Sequence, residues 1–178
     1  ITSIDGYAAT VSTASQPNIT SVSTSFTNLT FANAQTISGN NLTLTTGANT
    51  NAGTITGNWT LTAGSRWNAT YADLAEYYES DNAYEPGTVL EFGGEKEVTL
   101  ATDGTTRVAG VVSTNPAYVM NGTCEGEHTV AIALQGRVPC KVVGPVAKGD
   151  MMVSAGNGRA RAEADPKTGA VIGKALEN

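Results

Sequence analysis

The sequence predicts an all-β protein, in which a repetitive, intertwined trimeric β stem is followed by a small β-barrel or sandwich domain with at most one short helix. Three observations lead to this prediction. The first third of the chain is Thr-rich and repeats itself, short Val- and Ile-rich runs fill the remainder, and acidic residues begin abruptly between the two. We expect a linker or docking segment at residues 1–24, the stem at 25–66 and the compact domain at 67–178.

The predicted stem is repetitive and almost uncharged. Residues 1–65 contain 8 Ser, 16 Thr and 8 Asn, about half of the segment, and their one charged residue is Asp5. Such a composition is typical of disorder, but the run TISGNNLTLTTGA from Thr36 nearly recurs as TITGNWTLTAGS from Thr54. Apolar residues alternate with Thr inside each repeat and Gly marks the turns, so the repeat predicts short β-strands.

One such strand pair has too few large apolar side chains to be stable alone. Ordering the backbone costs roughly 1–2 kcal/mol per residue, and an isolated β-ribbon is marginal in water. Several copies wound together would bury one another's apolar stripe and pair one another's strand edges. The stem therefore predicts a homotrimer, because three chains close a three-sided β-prism.

From Trp67 onward the sequence is typical of a compact β domain. This part holds 15 of the 16 acidic residues and 9 of the 10 basic residues. Short apolar runs bounded by turn residues predict roughly six to eight strands. The runs are residues 88–92, 97–101, 107–113, 129–138, 140–143, 151–154 and 170–176.

Turn dipeptides separate these runs. Pro86-Gly87 predicts a type II turn. Asp103-Gly104 and Asn157-Gly158 each predict a two-residue hairpin. The spacing of these signals supports a small domain built from short strands.

The stretch YADLAEYYESDNAYEPG, which carries five acidic residues, begins where the stem ends. Tyr71, Leu74 and Tyr78 have the spacing of one helix face, so we expect a short helix here, with an extended course along the barrel as the alternative. We interpret the onset of acidic residues as a boundary, where a self-sufficient domain needs a solvated surface.

Charge and hydropathy exclude several classes of function. The 178-residue chain has a net charge of −6 and no basic run, so we expect no nucleic-acid partner. No apolar run is long enough to span a membrane, so we expect no membrane insertion. The opening ITSIDGYAAT lacks the features of a signal peptide, and we expect a piece of a longer chain or a processed product.

The two cysteines and the Asn-x-Thr triplets have ordinary interpretations. Two cysteines do not make a disulfide framework, and we favour free thiols at Cys124 and Cys140 over a bridge across a hairpin. We attribute the triplets to the strand repeat and to composition rather than to glycosylation. They begin at Asn18, Asn28, Asn41, Asn58, Asn68 and Asn121.

Two groups of residues could bind a metal ion, and we expect that neither does. The carboxylates of Asp73, Glu76 and Glu79 could hold a divalent cation or form an acid–base pair, but no calcium-loop pattern is present. The loop TCEGEHT at 123–129 offers Cys124, Glu125, Glu127 and His128, but His128 is the one histidine in the sequence and the thiol spacing of a zinc site is absent. We therefore predict no metal and no cofactor.

Ser113 and Asn115, in the run GVVSTNP, are candidates for cleavage of the chain's own backbone. A Ser or Asn held in a strained turn beside a base can attack a peptide carbonyl. The pair Asn121-Gly122 is a further polar turn of this kind. Turn-forming residues are far more common than self-cleaving ones, so an ordinary turn is the alternative at each position.

The order of several sequence blocks over most of residues 70–177 resembles the intramolecular-chaperone autoproteolytic domains of phage neck and tail appendages. The matching residues are Asp73, Ala75 and Glu76 in a D-x-A-E opening, and Gly110–Ser113 with Pro116 in a G-V-V-S-x-x-P block. The preceding run GTITGNWTLTAGSRW is similar to the fibre stems of marine tailed phages.

This resemblance implies a homotrimeric β-rich fibre on a virion, attached to other virion proteins. We expect a structural protein rather than an enzyme, whose domain caps and stabilises the trimer. Two alternatives stay open. One is self-cleavage by a chaperone domain that assists trimerisation. The other is a tip that binds a host glycan or surface protein, for which exposed aromatics are the candidates: Tyr77, Tyr78, Tyr84 and Tyr118.

Overall fold

The computed structural model describes residues 57, 58 and 60–178. The predicted linker at 1–24 and nearly all of the predicted stem at 25–66 lie outside these residues, including the whole of the first repeat and part of the second. The described residues from Thr60 to Asn178 form one compact unit.

Nine strands build this unit, and the part of the chain that the structure describes contains no helix. The all-β prediction is therefore confirmed. The strands are β1 Asp73–Glu79, β2 Val89–Phe92, β3 Val98–Leu100, β4 Val108–Val112, β5 Tyr118–Met120, β6 Thr129–Gly136, β7 Met151–Gly156, β8 Arg159–Ala162 and β9 Val171–Lys174.

The strands form two sheets. The larger has six strands in the order β3-β2-β4-β6-β1-β5, and the smaller has three in the order β8-β7-β9. Only β1 and β5 pair in parallel among the named strands. A parallel bridge from Ser80 to Val98 also joins the end of β1 to edge strand β3, so the large sheet curls back on itself.

Two apolar cores lie on opposite faces of the large sheet. Adjacent residues such as Val111 and Val112 point to opposite faces, and they belong to different cores. The first core consists of Leu90, Val98, Val112, Val130 and Ile132, with Tyr78 and Tyr84 packed against it. The second core joins residues of both sheets, so the small sheet packs on the large one: Val89, Ala101, Val111, Met152 and Ala160.

Two of the three predicted turns have the expected role. Pro86-Gly87 is a turn with φ of 83° at Gly87, and Asn157-Gly158 joins the antiparallel strands β7 and β8. The hairpin predicted at Asp103-Gly104 is wrong. That turn connects β3 to β4, and both of these strands pair with β2 rather than with each other.

The predicted helix is also wrong, because its residues form β1. This strand pairs with β6 on one side and β5 on the other, and hydrogen bonds to both neighbours outweigh the helix-like spacing of Leu74 and Tyr78. Asp73 and Ala75 are buried at alternate positions, which is the pattern of a strand.

The run 140–143, expected to be a strand, makes only one isolated bridge, between Val142 and Ala160. It runs beside β8 and covers part of its outer edge through the hydrogen bond from the Val143 N–H to the Ala160 carbonyl, at 2.9 Å. A single bridge does not extend into a ladder, so this run is a covering segment rather than a strand of the sheet.

Candidate functional site

The peptide between Ala72 and Asp73 marks the point where an exposed segment enters the large sheet. Residues 60–72 are all exposed and contain no strand. β1 begins at the next residue, Asp73, whose exposed fraction falls to 6%. The chain thus changes from exposed to buried between Ala72 and Asp73.

The Asp73 side chain is buried without full hydrogen bonding. Its Oδ2 atom has no partner, and with the Ser113 Oγ it is one of two such buried atoms among the described residues. Its backbone carbonyl accepts a hydrogen bond from the Ala117 N–H at 2.8 Å. Burying a carboxylate oxygen without a donor is costly, so this position calls for a functional explanation.

The Ala72 carbonyl lies close to the last residue of β6 and accepts a hydrogen bond from the residue after it. The Arg137 N–H donates to the Ala72 oxygen at 3.1 Å. Gly136, which pairs with Asp73, has φ of 117°, and a Cβ there would lie 2.2 Å from the Ala72 oxygen. Glycine is therefore required at position 136 for the two backbones to approach this closely.

These features put a carboxylate and a polarised peptide carbonyl in one dipeptide. A backbone N–H that points at a carbonyl oxygen stabilises the negative charge which develops there when a nucleophile attacks. A carboxylate can act as that nucleophile or as a base for water. The arrangement can support hydrolysis of the Ala72–Asp73 bond.

The two predicted self-cleavage residues lie on the connection between β4 and β5. Ser113 is buried and its N–H donates to the Ala131 carbonyl at 2.8 Å, whereas Asn115 is exposed. The Ser113 Oγ makes no hydrogen bond within the described region, so no base is in contact with it. The connection ends at Ala117, which contacts the Asp73 carbonyl.

The three carboxylates considered for a metal do not form one group. Asp73 and Glu76 are three residues apart on a strand, so their side chains point to opposite faces of the sheet. Glu79 forms an ion pair with Lys96 at 2.7 Å. Within residues 57, 58 and 60–178, no three His, Cys, Asp or Glu side chains are grouped as metal ligands would be.

The loop that contains Cys124 and His128 packs on the end of β1. A Cβ at Gly126 would lie 2.6 Å from the Glu79 side chain, and the Ser80 N–H donates to the His128 carbonyl at 3.0 Å. Burial, with the charges of Glu97 and Glu79, raises the pKa of the Cys124 thiol. The loop thus supports β1.

Cys124 and Cys140 are both free thiols, in agreement with the prediction. Burial raises the pKa of the Cys140 thiol to about 11. Its Sγ lies 3.6 Å from the Lys141 carbonyl oxygen. A thiol with a raised pKa carries little thiolate at neutral pH and is a poor nucleophile.

The four candidate tyrosines differ in their surroundings. Tyr78 stacks edge-on against Phe92, and Tyr84 donates to Asp81 at 2.6 Å. Burial and the hydrogen bond to Glu76 raise the pKa of Tyr78 to about 12. Tyr77 is half-buried, whereas Tyr118 on β5 is 62% exposed.

The fold is a small all-β domain preceded by an exposed segment, and its candidate site places a buried carboxylate beside a hydrogen-bonded peptide carbonyl. The model of the family Peptidase_G2, described as the IMC autoproteolytic cleavage domain, matches residues 20–127, more than half of the chain. The chain therefore belongs to this family of self-cleaving intramolecular-chaperone domains of phage appendage proteins.

The match ends before β6, so Gly136 and Arg137 lie outside it. No curated protein and no solved structure is significantly similar to the chain. Among the described residues, no helix is long and apolar enough to cross a membrane.

Proposed function

We propose that this chain is part of a homotrimeric phage fibre or spike in the virion, and that its β domain is a chaperone which is cut from the stem after assembly. Family membership supports the appendage and chaperone role. The neutral stem repeat supports the trimer, because a single ribbon buries too little apolar surface to be stable.

The observation that carries the proposal is the environment of the Ala72–Asp73 peptide. The carbonyl accepts the Arg137 N–H, and the adjacent carboxylate is buried with one oxygen unpaired. This peptide also lies where the exposed segment meets the sheet, so cutting it would separate residues 73–178 from the stem.

The proposed reaction is hydrolysis in two steps. A side-chain oxygen of Asp73 attacks the Ala72 carbonyl carbon and closes a six-membered ring, while the Arg137 N–H stabilises the oxyanion. The bond from the Ala72 carbon to the Asp73 nitrogen then breaks, and the nitrogen takes a proton from solvent water, which reaches the exposed Ala72, and leaves as an amine. Water hydrolyses the resulting anhydride and regenerates the Asp73 carboxylate with a free carboxylate on Ala72.

Intact mass measurement of the full chain and its variants tests this mechanism. The wild-type chain should yield a fragment of residues 73–178, and Asp73→Asn should remain uncut because an amide is a weak nucleophile. Arg137→Ala should still be cut, because only its backbone N–H is used. Cutting of Asp73→Asn at the wild-type rate would contradict the mechanism.

The same measurement distinguishes the other candidates. Ser113→Ala and Asn115→Ala should leave cleavage unchanged. Loss of cleavage in one of these variants would indicate that its residue, rather than Asp73, is the nucleophile. Asp165→Asn is the matched control, since it removes a carboxylate from an exposed position in the same domain. Circular dichroism of each uncut variant shows whether the fold is retained.

Native mass spectrometry of the full chain tests the homotrimer. A trimer of the uncut Asp73→Asn chain is the expected species. A folded monomer at micromolar concentration would contradict the fibre interpretation, because the stem repeat then needs no second copy.

Receptor binding is a second candidate function, and Tyr118 favours it most among the four tyrosines because it is the most exposed aromatic on the strands. Tyr78 and Tyr84 pack against the first core and contribute to stability instead. Binding of the chain to a glycan array, lost in Tyr118→Ser but kept in Tyr84→Phe, would support this function.

A further inference from the structure

A row of apolar residues crosses the large sheet beside the point where the chain enters it. Leu74 of β1 lies directly opposite Tyr118 of β5, so their side chains share one face. On the other side, Leu74 pairs with Gln135 of β6, and the adjacent Leu134 is the extra residue of a β-bulge. We call Leu134, Leu74 and Tyr118 the apolar row.

The apolar row is exposed to solvent, although the same sheet buries Leu90, Val112 and Ile132. Tyr118 is 62% and Leu134 is 43% exposed, and Leu74 is half-buried. β5 is also the outermost strand of the sheet. Apart from its length of only three residues, it carries none of the charges, prolines or bulges with which an edge strand normally avoids pairing.

The segment that precedes β1 has matching properties. Residues 60–71 present Leu61 at 45% exposed and Tyr71 at 53%, together with Trp67, and contain one charge, Arg66. Every residue of the segment is exposed in a single copy, and so are Tyr118 and Leu134 of the row.

We propose that the apolar row binds residues 60–71 of a second copy of this chain. This inference rests on the proposed homotrimer and names the surface by which the chaperone domain would hold the end of a neighbouring stem. The segment continues directly into β1, which carries Leu74 of the row. If the stem holds neighbouring copies side by side, the segment of one copy should therefore lie at the same height along the stem as the apolar row of the next.

The distribution of charge also favours residues 60–71 of a second copy as the partner of the apolar row. The row is uncharged and the stem carries one charge, Arg66, whereas the domain as a whole is acidic. Glu76 lies two residues beyond Leu74 on the same face of β1. Its Oε2 accepts the Tyr78 hydroxyl at 2.8 Å, and its other oxygen would face the Arg66 of the second copy. A strongly charged partner would not fit this surface.

Photocrosslinking in the full Asp73→Asn chain tests the proposal. With p-benzoylphenylalanine in place of Tyr118, irradiation should give crosslinked dimers and trimers on a denaturing gel. Mass spectrometry of the tryptic peptides should locate the crosslinks on both sides of Arg66, within residues 60–71. The same photoreactive residue in place of Val171, an exposed apolar residue of β9 in the small sheet, is the matched control and should give none.

The outcomes separate this inference from the proposed function. Suppose that native mass spectrometry shows a trimer but the crosslinks lie within one copy or reach residues outside 60–71. That result overturns the inference and leaves the proposed fibre function intact. A monomer overturns both. The trimer's dissociation provides a second measurement. In the double variant Leu134→Ser with Tyr118→Ser, the protein concentration below which the trimer dissociates should be at least ten times higher. An unchanged dissociation concentration would also count against the inference.

Discussion

Glu91 provides the sharpest test of how the two sheets are held together. It is 2% exposed, and its carboxylate accepts the Thr102 N–H at 3.0 Å, the Thr102 hydroxyl at 2.8 Å and the Arg107 Nη2 at 2.7 Å. These bonds fix the connection between β3 and β4. The Gly104 N–H of that connection donates to the Ser154 carbonyl of the small sheet at 2.9 Å.

Glu91→Ala should lower the free energy of unfolding by about 3 kcal/mol. Hydrogen bonds to a charged group contribute roughly 1.5–3 kcal/mol each, but Thr102 is exposed and Arg107 is 66% exposed, so water compensates part of the loss. For a domain of this size, about 3 kcal/mol corresponds to a fall in Tm of roughly 10–15 °C. Arg107→Ala should cost about 1 kcal/mol or less, as exposed ion pairs do.

Urea denaturation followed by circular dichroism at fixed protein concentration measures both effects. Glu95→Ala, which removes an exposed carboxylate near the same strand, is the control and should change stability by less than about 0.5 kcal/mol. If Glu91→Ala were no more destabilising than Arg107→Ala, the Thr102 bonds would not hold the connection, and the reasoning would be refuted.

The pH dependence of Glu91 has a defined sign. Burial alone would raise its pKa, but the hydrogen bonds from Thr102 and Thr105 and the charge of Arg107 outweigh burial and hold the pKa below its usual value. A carboxylate with a lowered pKa in the folded state contributes stability above its unfolded pKa, about 4.3. This contribution should disappear as the pH falls through the folded pKa, and it should be absent at every pH in Glu91→Ala.

Three further predictions concern single side chains. Gly158→Ala should destabilise the domain by about 2–4 kcal/mol in urea denaturation, because φ is 70° and the new Cβ would lie 2.7 Å from the Thr88 Cγ2; Gly104→Ala, with φ of 62° and open space, should cost about 1 kcal/mol. Tyr78, with a pKa of about 12, should remain un-ionised at pH 10.5 in an ultraviolet titration that Tyr78→Phe identifies. Cys140, with a pKa of about 11, should react with iodoacetamide at pH 8 far more slowly in the folded chain than in urea.

Local sequence signals predicted most strands of the domain, because their apolar runs are short, rich in Val and Ile, and bounded by turns. β2, β3, β4, β6 and β9 all lie inside predicted runs, and β7 begins with its run but extends two residues beyond it. β8 was missed because its sequence, RARA, has no large apolar residue. It is a strand because β7 pairs with it across the Asn157-Gly158 turn.

The errors have a common physical cause, which is long-range pairing. β1 looked like a helix because periodicity within ten residues cannot reveal that β5 and β6, more than 40 residues away, supply its hydrogen bonds. The turn at Asp103-Gly104 is local and was found, but the choice of pairing partner is a property of the whole sheet.

The candidate site could be predicted only in part. Asp73 was visible as the first residue of the acidic stretch and of the D-x-A-E opening. Its neighbour across the sheet, Gly136, and the N–H of Arg137 lie more than 60 residues away, so nothing in the local sequence connects them to Ala72. Turn chemistry alone makes Ser113 and Asn115 candidates, and it does not report contact with a base.

Determination of the new N-terminus by mass spectrometry after expression of the full chain tests the central claim most directly. If the chain hydrolyses its own peptide beside the Asp73 carboxylate, the released fragment begins at Asp73 and the stem fragment ends at Ala72. A fragment that begins at any other residue, or a chain that stays whole after prolonged incubation as a folded trimer, would contradict it.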